Sequence, residues 1–162
     1  MGEPVASGIV PRLNRPNGNI TGSSSFEASM SGKWLELLSE IAPGLKRAAF
    51  MFNPDTAIAS TYMSSLETAA RSLKVHPIIA HIRSDAEIEA AIIALGRAPG
   101  GGLVVVPDGS IAGHSAAIIS AAARSNVPAV FWSPAFAREG GLLSYGPDQV
   151  DTFRRCDPLL SH

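Results

Sequence analysis

The sequence predicts an α/β fold: a doubly wound, five-stranded parallel sheet with helices on both faces. Two observations indicate it. Short apolar segments alternate along the chain with segments whose apolar residues recur at helical spacing, and residues 102–106 form an apolar run without a polar interruption. Regular alternation of strands and helices is typical of parallel sheets, and an uninterrupted apolar strand is buried on both faces. For five such strands we expect the order 2-1-3-4-5.

The first half of the chain contains two helices and two strands. Four apolar side chains at helical spacing predict a helix over residues 33–42, which Pro43 and the following glycine end. The apolar run of residues 47–52 predicts the first strand. A second helix follows over residues 60–73, again from an apolar stripe, and residues 75–82 form the second strand.

The second half starts with a capped helix. Ser84 is its predicted N-cap, and Glu87 three residues later completes a capping box. The apolar run of residues 102–106 is the third strand. The same signals predict a fourth helix, two further strands and a short last helix, over residues 111–125, 129–132, 142–145 and 150–155.

Composition limits the classes of function. The chain has 162 residues, of which 46% are hydrophobic and 17% charged, and these values suit one globular domain. A formal net charge of -1 without a long run of one sign gives no indication of a nucleic-acid or membrane-surface partner. Cys156 is the only cysteine, so an internal disulfide is excluded. No apolar stretch approaches the roughly 18 residues of a membrane-spanning helix.

Two strands end on a short polar side chain beside a proline. Asn53 follows the first strand in "RAAFMFNPDTA", and Asp108 follows the third in "GGLVVVPDGS". In the order 2-1-3-4-5 these strands are neighbours whose connections leave toward opposite faces, which creates a ligand-binding crevice at their carboxyl ends. Trp132 and Ser133 end the fourth strand beside them, and Tyr145 ends the fifth. The pattern therefore predicts a ligand site, with Asn53 and Asp108 facing one crevice.

Capping is the alternative role for these side chains. Asn-Pro-Asp and Pro-Asp-Gly are common in turns and at helix starts, where the side chain satisfies free N–H groups. If Asp108 only caps a helix, asparagine would serve there equally well. The sequence leaves both roles open.

Enzymatic and metal-binding motifs are not found in the sequence. It contains no phosphate-binding G-x-x-x-x-G-K-[ST] or G-x-G-x-x-G pattern and no G-x-S-x-G elbow, so we predict no catalytic residues and no cofactor. His76 and His81 are five residues apart on a strand and therefore on opposite faces, which argues against a shared metal. His114 is expected to be a surface histidine at the start of the fourth helix.

A phosphoacceptor receiver domain is the alternative reading, because it shares this topology and has an aspartate after its third strand. Asp108 and Ser133 fit that pattern. A receiver also needs an acidic pair after the first strand and a lysine after the fifth, where this chain has Asn53 and Ser144. An enzyme of flavodoxin-like fold is a third interpretation.

Four segments resemble a known family: "RPNGNITGSSSFEASMSGKWLELLSEIAPGLKRAAFMFNPDTA", "DAEIEAAIIALGRAPGGGLVVVPDG", "NVPAVFW" and "EGGLLSYGPDQVDTFRR". They are similar to the substrate-binding proteins of ABC transporters, periplasmic proteins with a type I binding fold. The resemblance implies two flavodoxin-like, Rossmann-like α/β lobes with the solute held between them. It assigns residues 1–22 to a connector between lobes, residues 23–155 to the second lobe, and residues 156–162 to a divergent tail.

The resemblance also implies partners and contacts. Asn53 and Asp108 would contact the solute, Ser24 would face the mouth of the cleft, and Trp132 or Phe136 would stack on an apolar part of it. Small organic solutes, amino acids in several cases, are the implied ligands, and a membrane permease is the implied partner. A periplasmic location is implied as well, although the N-terminus lacks the pattern of a signal peptide.

A homodimer is the last expectation. A single lobe would leave an open crevice that exposes Trp132, Phe136 and Tyr145. Exposed apolar area of this kind favours association, and a symmetric pair is the commonest arrangement.

Overall fold

A computed structural model describes residues 5, 8–12, 27, 29–55 and 58–156. Most of the predicted connector, Ser24 and the tail after residue 156 lie outside these residues. The helices are α1 (Met30–Ile41), α2 (Ile58–Leu73), α3 (Asp85–Gly96), α4 (Gly109–Ala112), α5 (Ser115–Arg124), α6 (Pro134–Arg138) and α7 (Gln149–Cys156). The strands are β1 (Arg47–Phe52), β2 (His76–His81), β3 (Gly101–Val105), β4 (Ala129–Phe131) and β5 (Leu143–Ser144).

The sheet confirms the predicted topology. All strand pairs are parallel and the order is β2-β1-β3-β4-β5. From β1 the chain moves outward to β2, then returns past β1 to β3 and continues in the same direction to β4 and β5. Because such crossovers are right-handed, this reversal places α2 on one face and α3, α5 and α6 on the other. The carboxyl ends of all five strands form one edge, here called the carboxyl edge.

The two central strands are buried on both faces, as the apolar runs predicted. In β3 every residue after Gly101 is buried, and in β1 every residue after Arg47. Helix α1 packs on α2, and α3 packs on α5. The core therefore lies in two layers, one on each side of β1 and β3.

Two predicted features differ from the structure. The predicted fourth helix is two helices, α4 and α5, because Gly113 and His114 separate them and His114 has the non-helical angles φ -108° and ψ 13°. Helix α6 was not predicted, since Ser133 and Pro134 indicate a turn as well as a helix start. In the structure they are the N-cap and the first residue of α6.

One of the two hydrogen bonds of the predicted capping box of α3 is confirmed, and the other has a different donor. The hydroxyl of Ser84 accepts a hydrogen bond from the backbone N–H of Glu87. The carboxylate of Glu87 accepts in return from the backbone N–H of Arg83, one residue before the cap. Glu87 therefore holds the end of the β2–α3 loop as well as the start of the helix.

Trp34 links helix α1 to the residue that follows the edge strand β5. Its side chain is fully buried, and the indole N–H donates to the carbonyl of Tyr145 at 2.6 Å. The backbone N–H of Tyr145 donates to the carbonyl of Phe131 at 2.9 Å. Strand β5 has only two residues, so these bonds and the packing of α1 hold its end in place.

Gly146 lies directly after this point, where a side chain has no room. A Cβ atom at Gly146 would overlap the carbonyl oxygen of Trp132, a backbone group that cannot rotate away. We expect Gly146→Ala to lower the free energy of unfolding by about 1–3 kcal/mol, as overpacking does.

The control is Gly44→Ala, because a Cβ atom at Gly44 would meet no atom within 4 Å. Thermal unfolding of the two variants and the parent measures the difference. Equal melting temperatures for the two glycine variants would contradict the close approach at Gly146.

Candidate functional site at the carboxyl edge

Asn53 and Asp108 meet at the carboxyl edge, where the chain reverses between β1 and β3. The backbone N–H of Asn53 donates to Oδ2 of Asp108 at 2.8 Å. The two predicted strand ends are therefore in direct contact. Doubly wound folds bind ligands at this reversal point.

Asp108 caps α4 with its other oxygen. Oδ1 accepts from the backbone N–H of Ser110 at 2.9 Å and from its hydroxyl at 2.8 Å. The side chain is 3% exposed, and burying a carboxylate is costly unless hydrogen bonds satisfy it. These bonds confirm the predicted capping role, and the bond to Asn53 adds a connection between loops that capping alone does not explain.

The loop after β1 also contacts the loop that follows β2. Oδ1 of Asn53 accepts from the backbone N–H of Asp55 at 2.9 Å, which forms an Asx turn. The carboxylate of Asp55 then accepts from Arg83, after β2: Nε donates at 3.0 Å and Nη2 at 3.3 Å. The hydrogen bond from Arg83 and its positive charge lower the pKa of Asp55 below its ordinary value.

A second contact between polar side chains lies on the side of the sheet that carries α3 and α5. Nδ1 of His114, the N-cap residue of α5, lies 2.6 Å from Oδ1 of Asp85 in the first turn of α3. His114 is thus at the surface, as expected, and it joins the starts of two neighbouring helices.

Aromatic side chains follow β4 and β5 at the same edge. The ring of Trp132 meets that of Phe136 edge-on, with centroids 5.8 Å apart, and Phe136 stacks on Phe131 at 4.9 Å. Trp132 is half-buried, and Tyr145 is 44% exposed. Trp132 and Tyr145 therefore follow the two strands that lie beyond β3 in the sheet, on the Asp108 side of the polar contact.

The structure corrects one of the predicted positions. Phe136 is buried, at 3% exposure, so the expectation that it is exposed in the crevice is wrong. The reason is that α6 directs the Phe136 ring into the core, where it stacks on Phe131 and contacts the edge of Trp132. Ser133 is buried too, and its hydroxyl accepts from the backbone N–H of Ala135 at 3.3 Å as the cap of α6.

Of the seven predicted contact residues, six lie at or next to the carboxyl edge and Ser24 lies outside the described residues. Their contact with a ligand stays a prediction. The pair of Asp55 and Arg83 was not predicted. A signal existed, because these opposite charges follow strands that are neighbours in the predicted order, within three residues of each strand end.

Other classes of site find no support among the described residues. They contain no cluster of His, Cys, Asp or Glu suited to a metal ion, and no helix with the length and hydrophobicity to cross a membrane. An apolar groove of about 360 Å³ lies at the opposite end of β4 and β5, between α5 and Leu142. It has almost no polar groups with which to orient a solute, so the carboxyl edge is the candidate site.

Comparisons with known proteins bear on the family and the fold of the chain. A family model described as ABC transporter substrate binding protein matches residues 1–153. A tyrosine-binding protein of Clostridioides difficile is 27% identical over 145 residues, which are 89% of this chain and 39% of that protein.

Solved structures share the fold. The ABC domain in complex with L-Trp from Streptococcus pneumoniae superposes with a TM-score of 0.81 at 21% identity, over 98% of this chain and 54% of that one. The ligand-free, open structure of a substrate binding protein with adhesive properties from Clostridium difficile has a TM-score of 0.68 at 25% identity, over 87% and 47%. The chain therefore spans about half the length of these proteins, or less.

The two oxygens of Asp108 generate a prediction about stability. In Asp108→Asn one oxygen becomes an NH₂ group, which must face a donor, either the N–H of Asn53 or the groups of Ser110. We expect the free energy of unfolding to fall by about 1–3 kcal/mol, the cost of an unsatisfied buried group.

Asp148→Asn is the matched control. Asp148 accepts from the N–H groups at the start of α7 through Oδ1, and its Oδ2 lies 3.8 Å from Nη2 of Arg138. An amide retains this cap, so denaturant unfolding should show little change. Equal stability of the two variants would mean that the bond between Asp108 and Asn53 contributes nothing.

Proposed function

Because the chain belongs to the family of ABC transporter substrate binding proteins, we propose that it is one lobe of the solute-binding component of an ABC-type importer. The solute lies against the carboxyl edge, in the crevice at the ends of β1 and β3. The observation that carries this proposal is the hydrogen bond between Asn53 and Asp108 at the reversal point of the sheet. The contact residues we propose from this lobe are Asn53, Asp108, Trp132, Ser133, Ser24 and Tyr145, and the predicted contact Phe136 instead supports Trp132 without touching the solute.

An amino acid is the proposed class of solute. Relatives that bind tyrosine and L-Trp support it. The negative charge of Asp108 favours an ammonium group nearby, and Trp132 with Tyr145 provides an aromatic wall for an apolar side chain. The crevice thus has a polar side and an apolar side, as an amphipathic solute requires.

A receiver-like phosphoacceptor domain is less well supported. Phosphoryl transfer needs an accessible carboxylate, whereas both oxygens of Asp108 accept hydrogen bonds inside the protein and the side chain is buried. The relatives are solute-binding proteins, which are not enzymes, and we propose that this chain has no catalytic role.

The proposed partner is the membrane permease of the transporter, which receives the solute from the intact two-lobe protein. Members of the family are extracellular or periplasmic binding proteins. We propose a periplasmic location for this chain on that basis.

Amide NMR spectra recorded during titration with L-tryptophan and L-tyrosine test the proposed site. We expect the signals of Asn53, Asp108 and the indole N–H of Trp132 to shift. Because one lobe supplies only part of the enclosure, the expected affinity is about millimolar, roughly -4 kcal/mol.

Signals at the amino ends of the strands, such as those of Gly101 and Val127, serve as the control and should not move. If the full set of proteinogenic amino acids leaves Asn53, Asp108 and Trp132 unshifted, the proposed site is wrong. Shifts confined to the apolar groove beside Leu142 would place the solute elsewhere.

A homodimer is proposed for the isolated chain. Tyr145 and Val150 are 44% and 55% exposed near the start of α7, and exposed apolar area of this kind favours association. Sedimentation at micromolar concentration measures the mass. A single species at the chain mass of 16.9 kDa would contradict the dimer.

A further inference from the structure

We infer that Arg83 is a positioning residue for the loop of residues 53–55: it holds the outer end of this loop while Asp108 holds the inner end. The inference rests on the proposed function, because that loop carries Asn53 to the solute. It assigns a role in binding to a residue that lies on the edge strand's loop, outside the crevice itself.

The loop is held from two sides by bonds to different strand ends. On the side of β3, Oδ2 of Asp108 accepts from the N–H of Asn53 at 2.8 Å. On the side of β2, the guanidinium of Arg83 donates to both oxygens of Asp55, at 3.0 Å and 3.3 Å. The Asx turn from Asn53 to Asp55 joins these two anchors at 2.9 Å. The chain of bonds therefore runs across three neighbouring strand ends.

Arg83 is itself held in place. Its backbone N–H donates to the carboxylate of Glu87, whose own N–H donates to the hydroxyl of Ser84 at the start of α3. The guanidinium thus extends from a capped helix start, which limits the backbone motion that usually weakens a surface pair.

Most exposed ion pairs contribute little, because solvent screens them and two long side chains must be ordered. Exposed ion pairs contribute more to stability when the geometry is bidentate or when the pair belongs to a network. Asp55 and Arg83 meet both conditions, although each is exposed. We therefore expect their effect to appear as order in the loop and not as a large change in overall stability.

The first test is amide hydrogen exchange of the chain without any ligand. In Arg83→Gln, exchange at Asp55 should rise about threefold or more, the order of effect expected for an exposed pair. Exchange at Asn53 should rise less, because Asp108 still holds that N–H. Arg83→Lys keeps the positive charge but cannot donate from two nitrogens at once, so the rise in exchange at Asp55 should be intermediate.

Arg124→Gln is the matched control. Arg124 forms a similarly exposed pair with Glu89, at 2.7 Å, between the last residue of α5 and the middle of α3. Its loss should leave exchange at Asn53 and Asp55 unchanged. If Arg83→Gln and Arg124→Gln give the same exchange at Asp55, the positioning role is overturned.

The second test is binding of L-tryptophan, followed by the indole N–H signal of Trp132. We expect Arg83→Gln to weaken affinity about threefold and Arg124→Gln to leave it unchanged. In about 1 M NaCl, where the screening length is about 3 Å, the difference in affinity between the parent chain and Arg83→Gln should disappear. A role in packing alone would not respond to salt in this way.

The outcomes separate the two proposals. If exchange at Asp55 rises while L-tryptophan affinity stays unchanged, Arg83 orders the loop without serving binding, and the inference fails. If the parent chain binds neither L-tryptophan nor any other proteinogenic amino acid, the proposed ligand class fails, and exchange alone decides whether Arg83 positions the loop. A rise in exchange, together with weaker binding by Arg83→Gln and a difference from the parent chain that salt removes, supports both.

Discussion

The buried carboxylate of Asp108 requires several hydrogen-bond donors at one point, and the carboxyl edge is arranged around this requirement. A charge with 3% exposure is tolerated only when bonds replace its water. The donors include Ser110, two residues on, and Asn53, directly after strand β1. Asn53 reaches it only because β1 and β3 are neighbours while the chain between them passes through β2. The polar site therefore depends on the strand order, in which the chain reverses direction between β2 and β3.

The general form of this arrangement was predictable from the sequence. Apolar runs and helical stripes predicted every strand and the strand order, and the bounds of β1 were predicted without error. Placing Asn53 and Asp108 at one edge followed from that order. What each oxygen of Asp108 bonds to was not predictable, because it depends on the backbone angles that follow two separate strands.

Local signals with two meanings account for the remaining errors. Ser133 and Pro134 fit a turn and a helix start equally, so α6 was missed and Phe136 was expected to be exposed. Once α6 forms, Phe136 points inward onto Phe131. The pair of Asp55 and Arg83 required attention to charges just beyond the strand ends, which apolar periodicity does not report.

The two tryptophans show how the aromatic side of the edge is supported. Trp34 is fully buried and donates to the carbonyl of Tyr145, which fixes the end of the shortest strand. Trp132 is half-buried and rests on Phe136. Gly146 allows the chain after β5 to pass close to the chain after β4, since its lack of a side chain leaves room for the carbonyl of Trp132. The contact with Phe136 therefore restricts the orientations open to the Trp132 ring.

Under the proposed function, these internal bonds determine what one lobe contributes to binding. A loop that is already ordered loses little conformational entropy when a solute arrives, so less of the contact energy is offset. The same bonds use much of the hydrogen-bonding capacity of Asp108 within the lobe, which leaves its charge to act on the solute mainly as a field. An open edge also leaves much of the solute in water, where such a field is screened. Closing a second surface over the solute would remove that water and strengthen the attraction to Asp108. Affinity should therefore depend on closure, and the single lobe supplies orientation more than binding energy.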